Sequence, residues 1–193
     1  FGDYSYFSSY STTWLEHARA YADMIVERLR LGRSSKVIEG ASNDGYLLQY
    51  FVARGIPALG VEPAANVARA AVERGVPTHV AFFGSKTARE LTEHHRADLI
   101  VGNNVLAHVP DLNDFVAGLA VLLAPDGVIT LEFPHLLTLI AERQFDTIYH
   151  EHFSYFSFLT ARRALAAHGL RAFDVERLPT HGGSLRVYAC HTD

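Results

Sequence analysis

The strongest constraint on the fold of this 193-residue chain is an alternation of short apolar runs with stretches of helical periodicity. Each apolar run is rich in β-branched residues and ends in polar or turn-forming residues. Such an alternation favours an α/β fold, because parallel strands in one sheet need crossover helices between them. The pattern predicts strands over 35–39, 57–62, 77–81, 97–102 and 127–133, and helices over 44–54, 64–74, 85–94 and 111–123.

The N-terminal part of the chain carries a different pattern. Its first dozen residues are rich in aromatic and hydroxyl side chains, and Thr13 and Glu16 then form the capping-box pattern S/T-x-x-E. Apolar residues at helical spacing follow as far as Leu29, and Gly32 supplies a stop signal. This pattern predicts an amphipathic helix over 13–30.

Two further strand-like runs, 171–177 and 184–190, follow near the C-terminus. The short connection between them contains Gly182 and Gly183, which favours an antiparallel hairpin. Five parallel strands followed by a hairpin is the layout of the Rossmann-like class I S-adenosylmethionine (SAM) methyltransferases. Dinucleotide-binding folds share only the first half of this layout and continue with parallel crossovers. We therefore expect an α/β fold with a seven-stranded, mostly parallel sheet and an antiparallel C-terminal hairpin.

A chain of this length is expected to form one domain over 1–193. Within it, 1–32 would be an aromatic segment and a helix, and 33–193 would be the Rossmann-like core. The formal charge is −4 with no basic block, which argues against a nucleic-acid partner. No run of 18 apolar residues and no export signal occurs, so we expect no membrane association and a cytoplasmic location.

The turn after the first predicted strand reads "EGASNDG" and opens into a helical stretch. In open α/β sheets the ligand lies at the carboxyl ends of the strands, beside such turns. We expect Glu39 to accept a hydrogen bond from a cationic amino group, Gly45 to allow close backbone approach, and Glu62 to accept both hydroxyls of a ribose. The predicted cofactor-binding residues of these two strand ends are Glu39, Gly40, Ala41, Asn43, Gly45, Glu62 and Pro63.

This turn contains less glycine than is usual, because Ala41 and Asn43 occupy positions where glycine is common. A pyrophosphate would demand closer backbone contact, whereas SAM has no phosphate and tolerates side chains there. The alternative is an ordinary strand-to-helix turn with incidental acidic residues. We expect SAM to be the cofactor and S-adenosylhomocysteine (SAH) the product.

Polar residues also follow the fourth predicted strand, in "GNNVLAHVPD". Asn103 and Asn104 are suited to hydrogen-bond the methionine part of SAM at the sheet edge. His108 is either part of a lid over the cofactor or an ordinary loop histidine. Phe83, after the third strand, either flanks an adenine or belongs to the core. Asp111 is most simply a helix cap.

The stretch "FDTIYHEHFSYFSF" places Tyr149, His150, Glu151 and His152 side by side. Methyl transfer to carbon needs a base beside a carbonyl and a donor for the resulting enolate, and histidine with tyrosine suits both tasks. The alternative is a solvated aromatic loop. His-x-His alone, without a third ligand, is a weak zinc signal, and one cysteine cannot form a thiolate site, so we expect no metal.

Four motifs in this order, "EGASNDGYLL", "GNNVLAHVPD", "FDTIYHEHFSYFS" and "HGGSLR", resemble the SAM-dependent sugar C-methyltransferases. These enzymes act at carbon 3 of nucleotide-linked 4-keto-6-deoxy sugars in antibiotic biosynthesis. The resemblance runs from about Tyr4 to about Val187. It implies the same reaction for this chain, with a nucleotide-linked sugar as substrate. The alternatives are a SAM-dependent methyltransferase acting on oxygen or nitrogen of another small molecule, or a non-catalytic SAM-binding module.

The resemblance also implies roles for individual residues. His152 would be the base, with Tyr149 and Glu151 beside it in the active site. An aromatic stretch near the sugar would supply Tyr6 and Tyr10, and the hairpin turn would supply His181 and Ser184. Family members usually carry a cysteine-rich zinc-binding module before this core and a further domain after it. We expect both to be absent from this chain.

Overall fold

The computed structural model describes residues 4–93 and 96–192. Within them, seven strands form a mixed sheet in the order β3-β2-β1-β4-β5-β7-β6. The strands are β1 (Val37–Gly40), β2 (Ala58–Val61), β3 (Thr78–His79), β4 (Ala97–Asn103), β5 (Leu123–Pro134), β6 (Leu170–Leu178) and β7 (Ser184–His191). The α-helices are α1 (Thr12–Leu29), α2 (Gln49–Val52), α3 (Ala65–Glu73), α4 (Ser85–Thr92), α5 (Leu112–Leu122), α6 (Leu136–Glu142) and α7 (Phe158–Ala166). The predicted fold class is confirmed.

Contacts between residues divide the chain into two compact units. The first comprises Phe1–Phe83 with Ala97–Leu99, and the second comprises Gly84–Arg96 with Ile100–Asp193. Strand β4 thus contributes residues to both units. That the chain forms a single domain stays a prediction.

In the first unit, β1 pairs in parallel with β2, and β2 pairs in parallel with β3. All four residues of β1 are buried, as expected of a parallel strand covered on both faces. The core of this unit also contains one face each of α1 and α3, with Ala18, Tyr21, Ala22 and Ile25 from α1 and Val67, Ala68 and Ala71 from α3. The strand ends that carry Glu39 and Glu62 are therefore anchored by buried apolar packing.

Helix α1 begins one residue earlier than the capping-box pattern predicts. Its N-cap is Ser11, whose Oγ accepts a hydrogen bond from the backbone N of Trp14 at 3.3 Å. The expected cap at Thr13 is wrong, because Ser11 adopts the extended conformation of an N-cap and Thr13 lies inside the helix. The helix ends at Leu29, and Arg30 closes it in a left-handed conformation with φ 53°.

Helix α2 is much shorter than the predicted helix over 44–54. It spans only Gln49–Val52, and turns occupy the residues before it. Asn43 and Gly45 have φ of 49° and 77°, which no right-handed helix accommodates. The apolar periodicity of this stretch therefore reflects a buried loop rather than a long helix.

In the second unit, β7 pairs antiparallel with both β5 and β6. The predicted C-terminal hairpin is confirmed, and a register shift between Ala172 and Asp174 interrupts the β6 side. Helices α6 and α7, between β5 and β6, were not predicted. Helix α7 begins at a side-chain cap, in which Ser157 Oγ accepts from the backbone N of Thr160 at 3.2 Å. The cap of α5 at Asp111 is confirmed, since its side chain accepts from the backbone N of Asp114.

Across the two described stretches, no helix combines the length and the hydropathy needed to cross a membrane.

Candidate functional site

The loop after β1 has a left-handed backbone at every second residue. Ala41, Asn43 and Gly45 have φ of 56°, 49° and 77°. The sequence indicated that Ala41 and Asn43 occupy positions where glycine is common, and their left-handed φ angles agree with this. An alanine in the left-handed region carries steric strain of roughly 1–2 kcal/mol. The loop is therefore held in its conformation by surrounding contacts rather than by local preference.

Replacing Ala41 with glycine is expected to leave the free energy of unfolding unchanged or to raise it by up to about 1 kcal/mol, because glycine relieves the strain at φ 56°. The matched control is Ala68→Gly inside α3, which should lower it by about 1 kcal/mol or more. Urea denaturation of both variants measures the difference. A clear loss of stability in Ala41→Gly would contradict the strain argument.

Glu62 lies directly after β2 and is 5% exposed. Its Oε2 accepts from the backbone N of Asn43 at 3.0 Å, and its Oε1 accepts from the backbone N of Ala64 at 2.9 Å. Burial raises the pKa of the Glu62 carboxyl, and these two hydrogen bonds act in the opposite sense. Because a carboxylate has about four acceptor positions, two remain for hydroxyl groups of a ligand.

Glu39, at the end of β1, is 1% exposed, and neither of its carboxylate oxygens has a hydrogen-bond partner among the described residues. Burial raises the pKa of Glu39 well above its usual range. The Tyr46 side chain lowers it, and the negative charges of Glu62 and Asp44 raise it further. Burial disfavours the charged form of Glu39, so a cationic group of a ligand is well suited to stabilise its carboxylate.

Gly45 is required by packing inside the first unit. A Cβ atom at this position would lie 2.9 Å from Cγ2 of Val76 and 3.3 Å from Cβ of Ala71. The sequence suggested close approach of a cofactor as the reason for this glycine, whereas the structure provides a steric reason. Gly40 is covered by the half-buried ring of Phe83, whose Cγ would be 3.5 Å from an added Cβ. Pro63 is also half-buried.

Asn103 ends β4 and Asn104 follows it, and both have buried amide oxygens. Within the described part of the chain, neither Oδ1 atom has a hydrogen-bond partner. Asn104 has a left-handed φ of 51°, and its backbone N donates to the carbonyl of Glu132 at 2.7 Å. Buried amide oxygens without partners are suited to accept hydrogen bonds from a ligand.

His152 lies at the centre of an aromatic cluster in the second unit. Its Nδ1 is 2.8 Å from the carbonyl oxygen of Thr147. A carbonyl only accepts hydrogen bonds, so Nδ1 carries the proton and Nε2 of the neutral ring carries the lone pair. The ring centroids of Tyr149, His108 and Tyr155 lie 4.2, 4.7 and 5.7 Å from that of His152. This tautomer leaves Nε2 available as a base.

His108 belongs to the cluster around His152. Burial lowers the pKa of His108, the nearby His152 lowers it further, and Glu151 raises it. Burial also raises the pKa of Tyr149, with smaller contributions from Glu151 and Tyr155. Near neutral pH, His108 is therefore uncharged and the Tyr149 hydroxyl keeps its proton. That His108 contacts the cofactor stays a prediction.

The two histidines of the His-x-His stretch lie in different environments. The side chain of His150 is 89% exposed, and its Nε2 is 3.9 Å from Oε1 of Glu151, whose side chain is 45% exposed. His152 is half-buried and hydrogen-bonded. The aromatic cluster therefore includes His152 and leaves His150 in solvent.

Four further residues were predicted to face a sugar. Tyr6 and Tyr10 are 55% and 77% exposed. His181 is exposed with a left-handed φ of 50°. Ser184 is buried, and its Oγ donates to the carbonyl of Thr180 at 2.9 Å. That these residues bind substrate stays a prediction.

Sequence reasoning missed several residues of these sites. Thr147 orients His152, and Asp44 is fully buried in the loop after β1, where its Oδ2 accepts from Arg74 at 2.6 Å. His135 and Arg177 were also missed, and they line an open cleft of about 480 Å³ together with the predicted Ser184. Only Asp44 had a local signal, since an acidic residue directly precedes Gly45. Thr147 lies five residues before His152 but carries no sequence signal of its own, and the pairing of His135 with Arg177 in one cleft depends on tertiary folding.

Within residues 4–93 and 96–192, no group of three or more histidine, cysteine, aspartate or glutamate side chains is placed to hold a metal ion. That the chain binds no metal stays a prediction, as do the absence of a nucleic-acid partner and the cytoplasmic location.

A family model described as a methyltransferase domain matches residues 14–175, which is most of the chain. This chain belongs to the methyltransferase domain family. The matched residues form a SAM-dependent methyltransferase domain, and SAM is the cofactor of that domain. The buried carboxylate of Glu39 and the hydrogen-bonded carboxylate of Glu62 suit the ammonium and ribose groups of that cofactor.

One curated relative of this methyltransferase is the C-methyltransferase NovU of Streptomyces niveus. The two sequences are 42% identical over 190 residues, which cover 98% of this chain and 45% of the relative. The chain therefore spans less than half the length of this relative.

Solved structures confirm the fold. The PH0226 protein of Pyrococcus horikoshii OT3 superposes with a TM-score of 0.75 at 13% identity, covering 97% of this chain and 95% of that chain. Magnesium protoporphyrin IX methyltransferase of Synechocystis PCC 6803, solved with bound SAH, has a TM-score of 0.69 at 14% identity, covering 99% and 90%. These likenesses support the class I methyltransferase fold.

Proposed function

We propose that this methyltransferase moves the methyl group of SAM to carbon 3 of a TDP-linked 4-keto-6-deoxy sugar, as a step of deoxysugar and antibiotic biosynthesis. One observation carries the proposal. The Thr147 carbonyl holds the proton of His152 on Nδ1, which leaves Nε2 as a base beside the ring of Tyr149. The similarity to a relative named as a C-methyltransferase supports transfer to carbon.

The residues at the ends of β1 and β2, in the first unit, would hold the cofactor. Glu39 would pair with its ammonium group, and Glu62 would accept its ribose hydroxyls. In the second unit, the buried amide oxygens of Asn103 and Asn104 are suited to accept hydrogen bonds from a ligand. When bound, SAM would supply an electrophilic methyl group, whose bond to sulfur breaks with the electron pair left on SAH as the substrate carbon takes up the methyl group.

The acid–base cluster would activate the substrate. Nε2 of His152 removes the proton from carbon 3, and the electron pair of the C–H bond moves toward the oxygen of the neighbouring ketone. The Tyr149 hydroxyl, which keeps its proton because its pKa is raised, donates a hydrogen bond to that enolate oxygen. Formation of the new C–C bond restores the ketone, and the proton remains on His152 until solvent takes it.

The test is incubation with SAM and a panel of TDP-linked 4-keto sugars, read by mass for the gain of one methyl group. Deuterium exchange at carbon 3, measured in parallel, reports proton removal separately. Because the chain spans 45% of its relative, a second arm supplies the relative's flanking segments by fusion. Methylation without exchange would instead indicate an oxygen or nitrogen acceptor. SAM binding without any turnover in both arms would indicate a non-catalytic module.

Replacing Glu62 with alanine is expected to weaken SAM binding about ten- to a hundred-fold, because the ribose hydroxyls lose a charged acceptor. Isothermal titration calorimetry measures the affinity. Glu73→Ala, which removes an exposed carboxylate at the end of α3, is the control and should leave the affinity nearly unchanged. Equal affinities for Glu62→Ala and the unmodified protein would place the ribose elsewhere.

The raised pKa of Glu39 predicts that cofactor binding depends on pH. A cationic ammonium group favours the ionised carboxylate, so binding releases a proton from Glu39. SAH should therefore bind more tightly as the pH rises through the raised pKa of Glu39, which lies above the ordinary value of 4.5. At lower pH, where Glu39 is protonated, SAH should bind more weakly. Calorimetry in buffers of different protonation enthalpy counts the released protons. Glu39→Gln should bind more weakly and show a flatter pH profile. A profile as steep as that of the unmodified protein would contradict the pairing.

A further inference from the structure

Asn43 makes two kinds of contact at once. Its backbone N donates to Oε2 of Glu62 at 3.0 Å, on the cofactor side of the loop. Its side-chain amide reaches the N-terminal residues, where Oδ1 accepts from the backbone N of Ser8 at 2.9 Å and Nδ2 donates to the carbonyl of Tyr6 at 3.2 Å. The residue is 8% exposed, so these hydrogen bonds are largely shielded from water.

The segment that Asn43 holds carries both tyrosines predicted to face the acceptor. We name residues 4–10 the aromatic segment. It has two other polar anchors. Ser9 donates to Oδ2 of Asp44, and Tyr4 exchanges two hydrogen bonds with the side chain of Asn66 in α3. Asn43 lies between these anchors and hydrogen-bonds both to the aromatic segment and to Glu62.

The left-handed backbone of Asn43 makes this double contact possible. With φ 49°, its N–H points to Glu62 while its side chain extends to the aromatic segment. Asparagine tolerates this conformation better than most residues. A ligand that fixes the orientation of Glu62 also favours the backbone conformation that presents the Asn43 amide to Ser8.

We infer that Asn43 is a positioning residue that links the cofactor site to the aromatic segment, so that cofactor binding orders the tyrosines on the acceptor side. The acceptor-side role of Tyr6 and Tyr10 rests on the proposed function. The link itself rests only on the hydrogen bonds of Asn43. By thermodynamic reciprocity, ordering of the aromatic segment also strengthens cofactor binding by the same factor.

The test measures amide hydrogen exchange of Ser8 and Ser9 by NMR, with and without saturating SAH. In the unmodified protein, SAH should slow exchange of the Ser8 amide about tenfold or more. Asn43→Gly keeps the positive φ and the backbone N–H to Glu62 while removing the amide, so the slowing at Ser8 should disappear. Asn66→Ala is the matched control. It removes the anchor at Tyr4, and the response of Ser8 to SAH should persist.

A second readout separates positioning from general stability. If an acceptor is found, Asn43→Gly should raise its KM about three- to thirty-fold while changing kcat much less. The inference is wrong if SAH slows exchange of the Ser8 amide as much in Asn43→Gly as in the unmodified protein. It is also wrong if SAH does not slow this exchange in the unmodified protein. If the slowing is lost in Asn43→Gly and retained in Asn66→Ala, the link between Asn43 and the aromatic segment is supported. This holds even if no keto sugar is methylated, an outcome that would contradict only the proposed function.

Discussion

Replacing His152 with alanine is expected to lower the rate of methyl transfer by about a hundred- to ten-thousand-fold, which is the usual effect of removing a general base. The Thr147 carbonyl fixes the tautomer in which Nε2 carries the lone pair. Deuterium exchange at carbon 3 should fall together with methyl transfer, because both require the same proton removal. SAM affinity should hardly change.

His150→Ala is the matched control, two residues away in the same stretch. The side chain of His150 is 89% exposed, so its removal should leave exchange and transfer nearly unchanged. A third variant, Tyr149→Phe, should reduce methyl transfer while retaining the ring that contacts His152. If His152→Ala keeps near-normal exchange, or if His150→Ala abolishes it, the assignment of the base is wrong.

Replacing Arg186 with methionine is expected to lower the free energy of unfolding by about 3–5 kcal/mol. Arg186 on β7 and Glu132 on β5 form a buried ion pair with 2.9 Å between Nη2 and Oε2, and their side chains are 5% and 0% exposed. The remaining oxygen of Glu132 accepts from Thr180 at 2.9 Å. Without the guanidinium group, the buried carboxylate loses its charged partner and cannot regain water. Urea denaturation measures the loss.

Glu176→Gln is the control for this prediction. Glu176 also contacts Arg186, at 3.3 Å, but its side chain is 36% exposed, so its charge contributes about 1 kcal/mol or less. The double variant Glu132→Met with Arg186→Met removes both buried charges and should recover much of the stability lost in Arg186→Met. If Arg186→Met lowers the free energy of unfolding by less than about 1 kcal/mol, the buried ion pair does not have the predicted importance for stability.

Loop conformation was only partly accessible from the sequence. The positions of Ala41 and Asn43 stood out as substitutes for glycine, and both have positive φ. The short α2 did not stand out, because apolar periodicity cannot distinguish a helix from a buried loop whose backbone reverses at alternate residues. Gly45 was singled out for a contact with the cofactor, yet Val76 and Ala71 already exclude a side chain there.

The chemical cluster shows the same division. Tyr149, Glu151 and His152 are adjacent in the sequence, so their grouping needed no tertiary information. The difference between His150 and His152 depends on how their own loop folds back onto Thr147 and on the contact with His108 from another loop. Local sequence therefore identifies candidate groups, whereas their tautomers and pKa values depend on burial and on the folded path of the chain.

By itself the sequence determined the alternation of strands and helices, the C-terminal hairpin and the carboxylates at the ends of β1 and β2, because periodicity and residue type are local properties. Only the tertiary structure decided that the Glu39 carboxylate is buried, that Asn43 contacts both Glu62 and the aromatic segment, and that Arg186 and Glu132 pair inside the sheet. Each of these depends on burial and on contacts between distant residues. Burial removes water as the alternative partner, and this makes such polar contacts decisive for stability and binding.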